Sequence, residues 1–279
     1  MNDHIKITIL CEDQAQMGYK DKIFLAQHGF CAFIEADRKI LFDTGATDLF
    51  LHNAALAEID LNAIDLVVLS HGHWDHTDGL KALWEMSPAK FRLLAHPGVF
   101  ADRHKASGEY NGIGWHREEI EARFDLVLSQ TPCPIADGIY FLGEIPREND
   151  FEARQTRFYQ MKNGQRAADF IMDDSALAIC TPKGLVIVSG CSHAGICNIV
   201  AYARKVTGED RVHAVLGGFH LLGEPLQLER TIDFFKANPV AHLYPLHCTD
   251  LPALSRFHQE FGIRKLCAGD SIVIDGGVD

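Results

Sequence analysis

The stretch Ser70 to Leu80, SHGHWDHTDGL, sets three histidines and two aspartates within eight positions. His71, His73, Asp75 and His76 form the pattern H-x-H-x-D-H. Imidazole and carboxylate together suit zinc, iron or manganese. In an extended loop, residues two apart point to the same side, so His71 and His73 can converge on one ion. The chain then turns toward a helix around Thr77–Leu83, where Asp75 and His76 can face a second point nearby. Gly72 and Trp74 interrupt the ligands without adding charge, leaving the backbone free to bend. A divalent ion lowers the pKa of a bound water toward neutrality and polarises a carbonyl or phosphoryl oxygen. That chemistry suits hydrolysis of phosphate esters, lactones, thioesters or amides.

Such a cluster needs a rigid frame. The motif follows DLVVLS, which reads as a buried strand. Other short apolar or β-branched runs bounded by turn residues read as strands too. They are Ile5–Leu10, Cys31–Glu35, Lys39–Phe42, Leu66–Leu69, Phe91–Ala95, Ile139–Leu142, Ala176–Cys180, Leu185–Val188, His213–Leu216, His242–Leu246 and Ser271–Ile274. Helices are expected over Asp78–Glu85, ending before Pro88, and over Gly195–Val206, stopping at Thr207–Gly208. Pro225–Ala237 and Pro252–Phe261 each open with proline, and the second ends at Gly262. An internal echo links FCAFIEADRKILFDTG with ALAICTPKGLVIVSG: strand, turn, strand, then Thr–Gly or Ser–Gly. Two strand-rich halves with helices suggest two sheets face to face, helices outside. Residues 97–169 break this rhythm, with few apolar runs and many glycines and charges. We read one domain over 1–279, with a lid or insertion around 97–169.

Composition narrows the partners. The chain has 279 residues, 47% of them hydrophobic, and a formal charge of −12, with 38 acidic against 26 basic residues. Nucleic-acid binding needs clustered positive charge, which this balance opposes. No apolar run approaches bilayer-spanning length. The eight cysteines are scattered without a CxxC pair, as in buried thiols of a reducing compartment. The start, MNDHIKITIL, lacks the basic opening and long apolar core of a signal peptide. The expected setting is cytoplasmic, and the expected partner is a small-molecule substrate, with no nucleic acid and no membrane.

The motifs resemble those of the metallo-β-lactamase superfamily. LFDTG at 41–45 is similar to its first motif, with Asp43 supporting the metal loop, and HGHWDH to its second. His193 in SGCSHAGI and His247 in LYPLHCT are similar to metal-binding histidines of later motifs, each at a strand end. The resemblance spans nearly the whole chain and implies an α/β fold, the four-layer αββα sandwich, with its metal site at one edge. GEIPR (143–147), DDSALAI (173–179), GGFHL (217–221) and LHCT narrow it to the subfamily named for archaeal dihydropterin–ribofuranosylaminobenzene 5'-phosphate synthase, many of whose bacterial members are called metal-dependent hydrolases. It implies one or two divalent ions, zinc first, with manganese or iron as alternatives. His71, His73 and His193 would form one site, and Asp75, His76 and His247 the second.

One departure stands out. The superfamily's fourth motif usually supplies an aspartate that bridges two metals, whereas VLGGFHLL has Gly218 or Phe219 there. The second site is therefore expected to be the weaker, unless His220 compensates. His220 reads equally as a ligand, a general acid or a polar residue satisfied in the core. Cys191 and Cys248 flank ligand histidines and read as small buried side chains rather than thiolate ligands. His4, His28, His52, His104, His213, His242 and His258 read as structural or surface residues.

An anionic substrate is suggested by the dications and by a glycine-bearing helix start after His193, whose free N–H groups suit an anion. Arg147 reads as a bidentate phosphate contact or a surface ion pair. Asp173 and Asp174 read as pocket-lining or turn-capping residues. Asp75 reads as a ligand that also orients water, or as a ligand only. Three functions compete: a metal-dependent hydrolase using a metal-bound hydroxide on a small anionic substrate; a synthase-type transferase displacing diphosphate, implied by the subfamily; and a non-catalytic metal-binding sensor.

Overall fold

The computed structural model describes residues 3–18, 20, 22–87 and 89–275. Pro88, the expected stop of the helix after the motif, lies outside them.

Alternation of side chains builds the two main sheets. The first contains β1 (His4–Cys11), β2 (Cys31–Glu35), β3 (Lys39–Phe42), β4 (Leu66–Val68), β5 (Arg92–Ala95), β7 (Asp125–Leu128) and β16 (Ser271–Asp275), in the order β16-β1-β2-β3-β4-β5-β7. The second contains β8 (Cys133–Ala136), β9 (Ile139–Phe141), β12 (Ala176–Thr181), β13 (Gly184–Ser189), β14 (Val212–Gly218) and β15 (Val240–Leu246), in the order β15-β14-β13-β12-β9-β8. Ile7 and Ile9 of the first sheet pack with Leu177, Ile179, Val186 and Val188 of the second in one core. Their neighbours Ala176, Ala178, Leu185 and Ile187 point the other way, as a period of two requires.

Those outward faces are covered by helices. On the second sheet lie α5 (Ile196–Thr207), α6 (Pro225–Ala237) and α7 (Leu251–Phe261), through Ile199, Val200, Ile232, Phe235 and Phe257. On the first lie α1 (Leu49–Leu56), α3 (Leu80–Met86) and α4 (Arg117–Arg123), through Phe50, Ala54, Leu83 and Ile120. The result is the expected four-layer αββα sandwich. No helix among the described residues is long and apolar enough to cross a membrane, and all eight cysteines are free.

Both halves of the internal echo are antiparallel hairpins, β2–β3 and β12–β13. Each leads into parallel strands: β3-β4-β5-β7 in one sheet and β13-β14-β15 in the other. Parallel strands bring their carboxyl ends to one edge, where ligands of open α/β sheets collect. Within 97–169, β7 joins the first sheet and β8 and β9 the second. Only β6 (Arg103–Lys105), with β10 (Phe158–Lys162) and β11 (Gln165–Ala168), forms a separate three-stranded sheet.

Candidate metal centre

The loop after β4 carries His71 and His73, and a one-turn helix, α2 (Trp74–Thr77), carries Asp75 and His76. Asp43, fully buried after β3, organises the loop. Its Oδ1 accepts the Ser70 N–H at 2.7 Å, and its Oδ2 accepts the Ser70 hydroxyl at 2.7 Å and His76 Nδ1 at 2.8 Å. Ser70 Oγ, having given its proton to Asp43, accepts from His71 Nδ1 at 2.9 Å. Both imidazoles are thus held from behind, with the Nε2 lone pairs of His71 and His76 turned toward the interior. Gly72 serves close packing rather than bending: a Cβ there would lie 2.0 Å from the Val99 carbonyl oxygen.

His71 Nε2 lies 2.9 Å from His73 Nδ1, which lies 3.2 Å from His193 Nε2. One proton on His73 Nδ1 can serve only one of these contacts well. Nitrogens bound to one ion at about 2.0–2.1 Å sit roughly 2.9–3.4 Å apart at octahedral to tetrahedral angles, so the spacing fits a shared cation. Burial, followed by neighbouring side chains (His76 beside His71, Arg103 beside His73, His220 beside His193), holds all three well below the usual imidazole pKa. They stay neutral and keep their lone pairs for a metal.

The other side is richer in carboxylates. Asp75 Oδ2 lies 3.3 Å from His247 Nε2 and 3.6 Å from His76 Nε2. Burial would raise the Asp75 carboxyl, but His76 and His247 outweigh it and hold it well below the usual range. His247 Nδ1 donates to Asp13 Oδ1 at 3.0 Å, and its backbone N–H donates to the buried Glu12 at 2.8 Å. His220 Nδ1 is buried without a hydrogen-bond partner. A cation beside Asp75, His76 and His247 would suit the donor set on this side.

All six expected ligands therefore meet at one edge. The sequence reading missed three participants: Glu12, Asp13 and His28. His28 is exposed, as expected, but not isolated, since it contacts Asp13 at 3.2 Å and Asp75 at 3.4 Å and stacks obliquely 4.8 Å from His247. The available signal was the acidic pair directly after β1, at the same strand edge as the motif.

Other expected residues have different partners. Arg147 donates to the Phe170 and Ile171 carbonyls at 2.7 and 3.0 Å and to Met172 sulfur, and so holds that turn rather than facing a cavity. Asp174 is fully buried and accepts the Ala194 N–H at 2.8 Å. Burial raises its carboxyl to about 7. Asp173 accepts the Gly72 N–H at 2.8 Å and pairs with the buried Arg103 at 2.7 Å. The start of α5 is not open to an anion, because buried Glu152 accepts the Cys197 and Asn198 N–H groups, each at 3.0 Å. His220 packs 4.2 Å from the His193 ring.

Two cavities adjoin the cluster, of about 470 and 460 Å³. Both are lined by His193, His220, Arg157, Phe158 and Leu222. Phe158 on β10 covers the metal loop, its ring 5.2 Å from His73.

Residues 38–139 match the model of the beta-lactamase superfamily domain. A 7,8-dihydropterin-6-methyl-4-(beta-D-ribofuranosyl)-aminobenzene-5'-phosphate synthase of Methanocaldococcus jannaschii is 36% identical, covering 97% of either chain. The chain belongs to the metallo-β-lactamase superfamily. A solved metal-dependent hydrolase of the beta-lactamase superfamily superposes with a TM-score of 0.84 at 30% identity, over 97% of this chain and 99% of that one. A diphosphatase from the PhnP family shares the fold, with a TM-score of 0.55 at 15% identity over the full length of both chains. The superfamily is metal-dependent, and groups such as His71–Cys191–His193 and His76–Cys191–His247 are candidates for holding its ions in this chain.

Proposed function

We propose that this protein is a metal-dependent hydrolase of a small anionic substrate bearing a phosphate, lactone or ester, working at a centre of two divalent ions, zinc first. The observation that carries the reading is the convergence of histidine nitrogens from both sheets beneath two cavities that share Arg157, the first of them also lined by Asp150 and Glu224. Arg154 and Arg157 line one cavity, and Arg157 and Lys105 line the other, in a chain of net charge −12. A guanidinium there offers an anion a bidentate contact.

His71, His73 and His193 would hold one ion, and Asp75, His76 and His247 the second. Ions so held supply Lewis acidity and acidify water to near neutrality. The chain's residues do the rest. Asp75 fixes the orientation of what binds beside it. His220, with an unpartnered buried Nδ1 facing both cavities, is the proton donor to the leaving group. Phe158 excludes water from above, as part of a lid within 97–169 on a single domain. Arg147 and Asp174 position the 170–172 turn and the His193 loop instead of binding substrate. The free thiols fit a cytoplasmic setting.

A second reading, transfer with loss of diphosphate, is favoured by the identity to the archaeal synthase and by two cavities meeting at the same histidines, with room for a donor and an acceptor. The test is turnover of phosphodiester, lactone and thioester chromogens, and of a pterin diphosphate with an aminobenzene acceptor, by zinc- or manganese-loaded protein. Metal-dependent hydrolysis of the first group is expected, with Arg157→Ala raising KM roughly 10-fold or more while kcat changes less. Turnover only with the acceptor present would establish transfer. Stoichiometric metal without any turnover would favour the sensor.

A further inference from the structure

We propose that the Cys191 thiolate bridges the two metal positions, in place of the missing fourth-motif aspartate. This inference rests on the two-ion reading above.

The fourth-motif position has no room for a carboxylate. A Cβ on Gly218 would lie 2.5 Å from Cys248 Sγ and 2.7 Å from the Gly190 carbonyl oxygen. Phe219 is fully buried on the far side of the sheet, its ring 5.6 Å from Phe257 and 6.0 Å from Phe235. Neither residue can place an anion between two cations.

Cys191 is placed to do so. It follows β13 at the end of the strand that delivers His193, and it is 4% exposed. Its Sγ lies within 4.8 Å of the ligand atoms of His71 and His193 on one side, and of His76 and His247 on the other. The same sulfur also groups with His220 and Cys248. Cys191 Sγ lies 3.2 Å from His76 Nε2. Because His76 Nδ1 donates to Asp43, Nε2 carries the lone pair and the thiol proton points into it. Sulfur and nitrogen on one ion, at about 2.3 and 2.0–2.1 Å, sit roughly 3.1–3.6 Å apart, so the pair already has ligand spacing. His247, grouped with His76 around the same sulfur and with its Nε2 3.3 Å from Asp75 Oδ2, completes a ligand set on that side.

Metal binding releases the thiol proton to solvent as the metal–sulfur bond forms. The bridge returns the negative charge that the aspartate would have supplied, and it makes the centre softer, favouring zinc over manganese. Cys248 Sγ instead donates to the Cys191 carbonyl at 3.2 Å, which steadies the backbone of the bridging residue.

Cobalt(II)-substituted protein tests this without any substrate. The wild type is expected to bind two equivalents and show a thiolate-to-cobalt charge-transfer band in the near ultraviolet. Cys191→Ser should lose the band, and its second equivalent should bind more than about 10-fold more weakly, since loss of an outer-shell partner alone costs 10–100-fold. Cys248→Ser should keep the band. Two bound cobalt ions without the band in the wild type would overturn the bridge and leave the metal centre standing; that spectrum needs no variant to fold. A band retained in Cys191→Ser and lost in Cys248→Ser would overturn it in favour of the other thiol. Failure of the wild type to bind cobalt at all would overturn the metal-centre reading and the bridge with it.

Discussion

The two sheets deliver their side chains to the metal edge in different ways. The first uses one dense segment: His71, His73, Asp75 and His76 lie within six consecutive positions, and two carboxylates, Asp43 and Asp173, hold the segment. The second uses one residue per strand: His193 after β13, His220 after β14 and His247 after β15. There the backbone itself does the aiming. Ser192, His220 and His247 adopt φ of 61°, 47° and 42°, the left-handed region that non-glycine residues rarely occupy. Strain of about 1–3 kcal/mol per residue persists only where surrounding structure over-determines it. Asp43, at φ 56°, is the one member of the first group that shares it. The dense segment thus gets its geometry from carboxylates that other loops bring to it, and the dispersed set from sharp turns at the strand ends.

Substitutions can break this contrast. The largest effect is expected for His73→Ala, whose Nδ1 stands between His71 and His193. It should lower metal affinity more than about 100-fold, beyond the loss of an outer-shell partner, and leave the protein nearly metal-free by elemental analysis after dialysis. Asp43→Asn comes next. Its amide would face the Ser70 hydroxyl and His76 Nδ1, leaving buried donors unpaired. A loss of about 2–4 kcal/mol in urea unfolding of metal-free protein is expected, with a 10–100-fold fall in metal affinity. Glu12→Gln probes the dispersed side, where Glu12 accepts the His247 N–H. By calorimetry it should weaken the second equivalent about 10-fold and leave the first unchanged. The smallest effect belongs to Thr249→Val. Thr249 Oγ1 accepts the Phe219 N–H and donates to the Leu246 carbonyl, tying the ends of β14 and β15. A cost of about 1 kcal/mol without change in metal content is expected.

The same contrast explains what could be read from residue order. The six candidate ligands around strand ends were legible because the dense motif fixes the register and the strands before His193 and His247 are plain apolar runs. Most strands of the two sheets matched to within two residues, because alternation and turn residues mark them. Helix α1 escaped notice: LFLHNAAL is apolar on most sides and shows no stripe, and its polar Asn53 is buried, donating to the Leu10 and Leu25 carbonyls. β6, β10 and β11 were hidden because they are short and half-polar and pair with one another outside the main core. His28 could not be found by spacing, since only the folded chain brings it to His247. The open helix start expected at α5 failed for a similar reason. Glu152, more than 40 residues away in sequence, takes its N–H groups.

The most direct test of the account is an anomalous-scattering map from crystals of the zinc-loaded protein. Two peaks at the sheet edge are expected, one within bonding distance of His71, His73 and His193, the other within bonding distance of Asp75, His76 and His247. Zinc located elsewhere, or held by the 71–76 loop alone with His193 and His247 out of reach, would contradict it.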